Sequence, residues 1–208
     1  MALRESEDMS PASFSRYLAA PLVAWLAIFI TTSFAPAADW TPEQGFTSLY
    51  NGKDLTGWGY SATERFDGKT EASDGRYTAK GDSLVVNPHE EGKGPRLRQL
   101  WTTQEFPKDF VLKLEFRAAV NADSGIFLRK PQLQCRDYLV AGPYKELKAY
   151  KPQDWNLIEV TVKDGVARCT CNGEVLEAAL KLPASGPVGL EADRGTMEYR
   201  HIQIKELP

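Results

Sequence analysis

The chain has 208 residues, 25 basic against 28 acidic, and a formal net charge of −3 at pH 7. Such a balance provides no basic field of the kind that grips a phosphate backbone, so nucleic acid is not expected as a partner. With two histidines, three cysteines and no C-x-x-C spacing, a zinc motif is excluded and no metal site is expected.

Residues 18–34 form an apolar run, preceded by Arg16 and followed by Ala35-Pro36-Ala37. A positive n-region, an apolar stretch and an A-x-A site are the parts of a secretory signal. This predicts a signal peptide over residues 1–37, cleavage before Ala38, and a secreted or periplasmic domain over residues 38–208. The competing reading is a retained anchor, but Pro21 interrupts the run. No membrane span is expected after cleavage.

From residue 46 onward the periodicity is that of strands. Residues 46–50 run into Asn51-Gly52, a dipeptide suited to a tight turn with positive φ. Strands are predicted at 76–79, 83–86 and 96–102, among turn signals at Asp67-Gly68, Asp74-Gly75 and Gly81-Asp82. In 110–117, Leu112, Leu114 and Phe116 alternate with Lys113, Glu115 and Arg117, a strand with one polar face. Further strands are predicted at 124–129 and 132–136, and the long loop 139–153 follows. Ile158, Val160 and Val162 mark another alternation, and Lys163-Asp164-Gly165 turns it into 166–171. Asn172-Gly173 leads to 174–176; strands at 188–191 and 199–205 end the chain. No long helical period appears. Many short strands with dense turn chemistry predict an all-β, two-sheet antiparallel sandwich.

The cysteines leave two readings open. Cys169 and Cys171 are i, i+2 on one strand, about 6.5–7 Å apart along it, so a bridge between them is strained. Either Cys135 bridges to one of them, as export permits, or all three are buried thiols.

Residues 46–58 read FTSLYNGKDLTGW. This block resembles the F-x-x-L-F-N-G-K-D-L-x-G-W opening of the 3-keto-disaccharide hydrolase-like family. Asp109 through Phe116, Ser124-Gly-Ile-Phe-Leu-Arg129, Asp154-Trp-Asn156 and Gly186-Pro-Val-Gly-Leu190 are similar to later family segments, as is the closing strand. The resemblance covers about residues 45 to 207. It implies a concanavalin A-like jelly roll that binds a saccharide or 3-keto-saccharide and cleaves glycosides already oxidised at C3. No particular cofactor follows from it.

Such chemistry needs a base for the acidified C2 hydrogen, an acid and a carbonyl polariser. Glu115, Glu191 and Asp193 are the acid/base candidates, and Arg129 or Arg117 the polariser. Glu115 and Arg117 serve if their face lines the concave sheet, and are plain solubilising charges if it faces solvent. Glu191 and Asp193 form either an acid/base pair or a solvated turn. Gln132 and Gln134 alternate on one face and suit sugar hydroxyls. Gln134 and Asp137 match the family's Y-E-x-Q-x-x-D, but its glutamate position reads Gln132, and a neutral amide is no acid or base. A second departure is Glu191 and Asp193, where many relatives read G-L-Q-x-H-G. Trp101 and Tyr144 are the sugar-platform candidates; Trp58 and Trp155 read as structural. Gly125 removes a side chain where something approaches closely. Three functions remain open: a 3-keto-glycoside hydrolase, a non-catalytic glycan-binding module on the same fold, and a protein-interaction domain.

Overall fold

Alternation of apolar and polar residues resolves into two stacked antiparallel sheets in a computed structural model that describes residues 40–140 and 142–208. The signal-peptide reading of residues 1–37 lies outside the described residues. The larger sheet runs in the order β11 (Glu174–Lys181), β10 (Val166–Cys171), β9 (Asn156–Lys163), β6 (Phe110–Ala118), β13 (Met197–Glu206), β4 (Ser83–Val86), β3 (Tyr77–Lys80). Strand β1 (Thr47–Ser48) also pairs with β13. The smaller sheet runs β2 (Trp58–Gly59), β5 (Arg98–Thr102), β12 (Val188–Ala192), β7 (Asp123–Leu128), β8 (Gln132–Arg136). This is the expected all-β sandwich of the concanavalin A-like jelly-roll kind. Among the described residues there is no helix, and so none long and apolar enough to cross a membrane.

The core lies between the sheets. Leu112, Leu114 and Phe116 of β6 pair beside Ile158, Val160 and Val162 of β9, all fully buried. The smaller sheet answers with Leu100, Ile126, Leu128, Leu133 and Leu190, equally buried. Each such side chain contributes about 1.5–3 kcal/mol relative to exposure. The polar partners along the same strands therefore face outward, on opposite sides of the molecule. Trp58 is a core anchor, with its indole N–H donated to the Leu49 carbonyl at 2.6 Å.

The hairpins follow their turn residues. Asp164-Gly165 and Asn172-Gly173 both take positive φ at both positions, as the tight turns joining β9 to β10 and β10 to β11 require. Strand β11 runs to Lys181, past the predicted end at 176. Its Glu177-Ala-Ala-Leu-Lys continuation has no β-branched signal, and pairing with β10 through a bulge supplies the extension instead.

Cys135, Cys169 and Cys171 are free and buried, so the Cys135 bridge is not formed and the thiol alternative holds. Burial pushes Cys169 and Cys171 up to about 12, and Cys135 well above its ordinary range. Protonated thiols in apolar surroundings are poor nucleophiles, which keeps them inert.

Candidate active site on the smaller sheet

The outward face of the smaller sheet gathers Gln99 and Trp101 from β5, Gly189 and Glu191 from β12, Asp123, Gly125 and Phe127 from β7, and Gln132, Gln134 and Arg136 from β8. Alternation places them there, because Leu100, Leu190, Ile126 and Leu133 point to the core.

Two glycines shape this face. Gly189 lies opposite both Trp101 and Phe127. A Cβ on it would meet Trp101 at 2.6 Å and the Phe127 Cβ at 3.2 Å. The two rings therefore lean together over it, centroids 5.2 Å apart and tilted by 59°. Gly125 does the same for a polar contact. A Cβ there would sit 2.0 Å from Gln132 Nε2. Gln132, on the edge strand, thus reaches over β7 to the central β12. The close approach read into Gly125 is that of Gln132.

The carboxylate it reaches is Glu191. Gln132 donates to Oε2 at 2.5 Å, and Gln99, directly opposite on β5, donates to Oε1 at 3.1 Å. Glu191 makes no ion pair among the described residues, and it is 9% exposed. Burial raises its proton affinity above the ordinary carboxylate range; the two amide bonds oppose the rise, and the charges of Asp193 and Asp123 add to it. Beneath it, Ser124 donates to the Glu191 carbonyl at 2.6 Å and Tyr77 to the Leu190 carbonyl at 2.7 Å, which fixes β12 from the core side.

Charged groups ring this centre. Asp123 accepts from Gln134 at 2.7 Å and pairs with Arg136 at 3.1 Å. Arg136 is 8% exposed, and its Nε has no partner among the described residues. Asp193 pairs with Arg96 at 2.7 Å. Beside Trp101 opens a cleft of about 400 Å³, lined also by Gly59, Ser61, Thr103, Arg129 and Lys130.

The other acid/base candidate lies elsewhere. Strand β6 belongs to the larger sheet, so Glu115 and Arg117 face away from the opposite side of the sandwich. Glu115 accepts from Arg200 Nε at 2.6 Å, and His201 Nδ1 lies 3.2 Å from the same carboxylate oxygen. His201 stacks on Trp40, and its proton affinity is lowered, chiefly by burial. Arg117 pairs with Glu198 at 2.7 Å, and Trp155 lies under both Arg117 and Arg200. Glu115 and Arg117 therefore do not join the other acid/base candidates: they are separated from Glu191 by the whole core.

Three more candidates take structural positions. Arg129 has φ 62°, which turns its side chain off the alternation of β7. Its guanidinium donates to the carbonyls of Pro183 at 2.8 Å and Lys108 at 2.6 Å, and packs over Phe110. Asp137 is buried and accepts from the Asn121 N–H at 3.0 Å. Tyr144 packs on Tyr138 and bonds Glu177 of the larger sheet. Trp101, Gln132, Gln134, Glu191 and Asp193 do gather on or beside one face. Gln99, Asp123, Phe127 and Arg136 join them unforeseen, although strict alternation from Trp101, Gln132 and Gln134 reaches Gln99 and Arg136.

The sequence pattern of the 3-keto-alpha-glucoside-1,2-lyase-like domain matches residues 45–205. A candidate glycosyl hydrolase from Parabacteroides distasonis ATCC 8503, solved at 1.70 Å, superposes with a TM-score of 0.60 at 18% identity, covering 79% of this chain and 95% of that one. A second such protein from the same organism gives 0.56 at 17% identity, covering 78% and 99%. At these identities the likeness is one of fold. No curated protein matches the sequence.

Proposed function

This chain belongs to the 3-keto-alpha-glucoside-1,2-lyase-like family, a carbohydrate-active one, and from that premise we propose that it cleaves glycosides oxidised at C3, with Glu191 as general base. One observation carries the reading. Glu191 is a carboxylate held only by neutral amides, with raised proton affinity, beside an aromatic pair. A base that must take and return a proton near neutral pH works best when its affinity lies close to the working pH.

The chemistry balances as follows. Glu191 takes the C2 proton, and the C2–H electron pair forms the C2=C3 bond of an enolate. That pair then moves to form C1=C2 as the C1–O bond breaks, which regenerates the C3 ketone. The departing oxygen takes the proton held by Glu191. Addition of water across C1=C2 completes a net hydrolysis; without it the reaction stops as elimination. Trp101 offers a face for a sugar ring, and Gln134 amide contacts at its edge. Arg136 replaces Arg129 and Arg117 as the cation for the C3 oxygen, its guanidinium lying on the same face and paired with Asp123. Asp193 acts through its charge, raising the proton affinity of Glu191. The signal-like run 18–34 supports an exported protein.

The low exposure of Glu191, with both its oxygens occupied, favours a second reading, a glycan-binding module. Release of nitrophenolate from p-nitrophenyl 3-keto-α-glucoside separates the two. The enzyme reading expects turnover by the purified domain, reduced on the order of 10²–10⁴-fold in Glu191→Gln. Background release with calorimetric binding of the same glycoside supports the module. Neither turnover nor binding leaves the protein-interaction domain.

A further inference from the structure

Two cavities open on the outward face of the larger sheet, of about 500 Å³ and about 530 Å³. Asp82 lines both, so they meet at the turn between β3 and β4. Each falls within the ~300–1,000 Å³ that holds a drug-sized ligand. Joined, they make a trough for an extended molecule.

Strand β13 shapes both. Its register against β6 shifts between Arg200 and Gln203, and His201 takes φ 53° there. A bulge of this kind re-aims a side chain. Arg200 and His201, neighbours in the chain, therefore come up against the same oxygen of Glu115. His201 lines one cavity and stacks on Trp40, centroids 4.7 Å apart and planes within 10°. Arg200 lines the other, its guanidinium 3.9 Å from the centre of the Trp155 ring, with that of Arg117 4.7 Å from the same ring. Both guanidiniums are thus held in advance. Glu198 takes one N–H of Arg117 at 2.7 Å, and Glu115 takes Nε–H of Arg200 at 2.6 Å. A guanidinium has further donors to offer. Exposed Lys80 lines the same cavity and pairs with no carboxylate among the described residues. With Lys53, the trough sets four cations against Asp82 and Glu198, in a chain of formal net charge −3.

We propose that this trough is a second glycan site, for an acidic oligosaccharide whose carboxylates meet Arg117, Arg200 and Lys80. Planar forks fixed beforehand match carboxylates and need little further ordering. Asn87 and Thr196 line the same cavity and supply amide and hydroxyl groups suited to sugar hydroxyls. Trp40 adds an aromatic surface in the neighbouring cavity. Membership of a carbohydrate-active family favours a saccharide over a plain polyanion. The core separates the trough from Glu191, so it holds a glycan without cleaving it and does not depend on the general-base reading.

The test is titration of the purified protein with tetragalacturonate, followed by calorimetry and by backbone amide shifts. Binding is expected, with shifts at residues 80–87, 117 and 196–201 and none on β5 or β12. Raising salt from about 0.05 M to about 0.5 M should weaken it on the order of tenfold, because exposed charges are screened. Arg117→Lys keeps the charge but loses the fork and should weaken binding roughly fivefold; Lys80→Gln, at an exposed position, should weaken it about threefold. Neutral cellotetraose and sugar-free polyglutamate should each bind about tenfold more weakly or worse. Absence of tetragalacturonate binding overturns the proposal, as does unchanged affinity in both variants. Equal binding of cellotetraose removes the carboxylate from it, equal binding of polyglutamate removes the saccharide, and shifts that map to Trp101 and Glu191 remove the site; each of these also overturns it. None of these measurements reads turnover, so the Glu191 assignment stands or falls separately.

Discussion

The two outward faces of the sandwich each carry a glutamate on an inner strand, half-buried at Glu115 and buried at Glu191, and they answer it in opposite ways. Glu115 meets the guanidinium of Arg200 and the imidazole of His201, in a surface where Arg117 and Arg200 also cover Trp155. Glu191 meets two amides, and the ring planes nearby, Trp101 and Phe127, carry no cation over them among the described residues. Glu115 is one half of an ion pair. Glu191, dressed in neutral donors, has its proton affinity raised by burial. Charged residues mark both faces; what separates the proposed chemical centre from the ion-paired face is the kind of partner.

The largest difference should appear in rate. Glu191→Gln is expected to lose on the order of 10²–10⁴-fold in kcat while Glu115→Gln changes it less than about threefold. Equal losses measured on a 3-keto-glucoside would break the distinction. Next comes binding. Trp101→Ala should raise KM roughly tenfold, equivalent to about 1.4 kcal/mol, with kcat little altered. A fall in kcat with KM unchanged would move Trp101 from platform to chemistry.

Stability sharpens the contrast through pH. Glu191 has its proton affinity raised in the folded state, so its favourable contribution is fully present below the ordinary carboxyl range and is lost as pH rises through the raised value. Glu191→Gln removes a buried charge and should melt higher than wild type at pH 7, by roughly 2–4 °C for each kcal/mol. The gap should close near pH 4. Glu115→Gln should melt lower at pH 7, because Arg200 loses its carboxylate partner. A Glu191→Gln protein less stable than wild type at every pH would contradict the desolvated-carboxylate account. The smallest effect lies between the faces. Cys135 projects inward from one sheet, Cys169 and Cys171 from the other, and all three are free. Thiol titration should find about none in the native protein and all of them after unfolding without reductant; fewer after unfolding would restore the bridge.

The fold was legible because one strand is enough to show alternation. Leu112, Leu114 and Phe116 announce a buried side whatever they pack against, and Asp164-Gly165 and Asn172-Gly173 specify their own turns. The site was half legible for the complementary reason. Alternation divides a strand into two faces but does not say which sheet the strand joins. Glu115 and Glu191 look alike in sequence, and only the pairing of β6 with β13 and of β12 with β5 sends them to opposite sides. Arg129 leaves the alternation of its strand by one backbone angle, a positive φ that period-two counting does not see. The contact between Gln132 and Glu191 depends on Gly125 and on a register no local pattern encodes.

That register has a kinetic consequence. The hydrogen bond from Gln99 to Glu191 joins positions 92 apart, and the one from Gln132 spans 59. No hairpin contains the centre; β5, β12 and β7 must all have found one another first. Closing loops of that length is entropically slow, so topologies rich in such pairings fold toward the millisecond-to-second end of the range. A refolding experiment followed by near-surface Trp101 fluorescence and by turnover should therefore show both signals arriving late and together. An intermediate that has already formed the local hairpins of β9, β10 and β11 would still be catalytically silent.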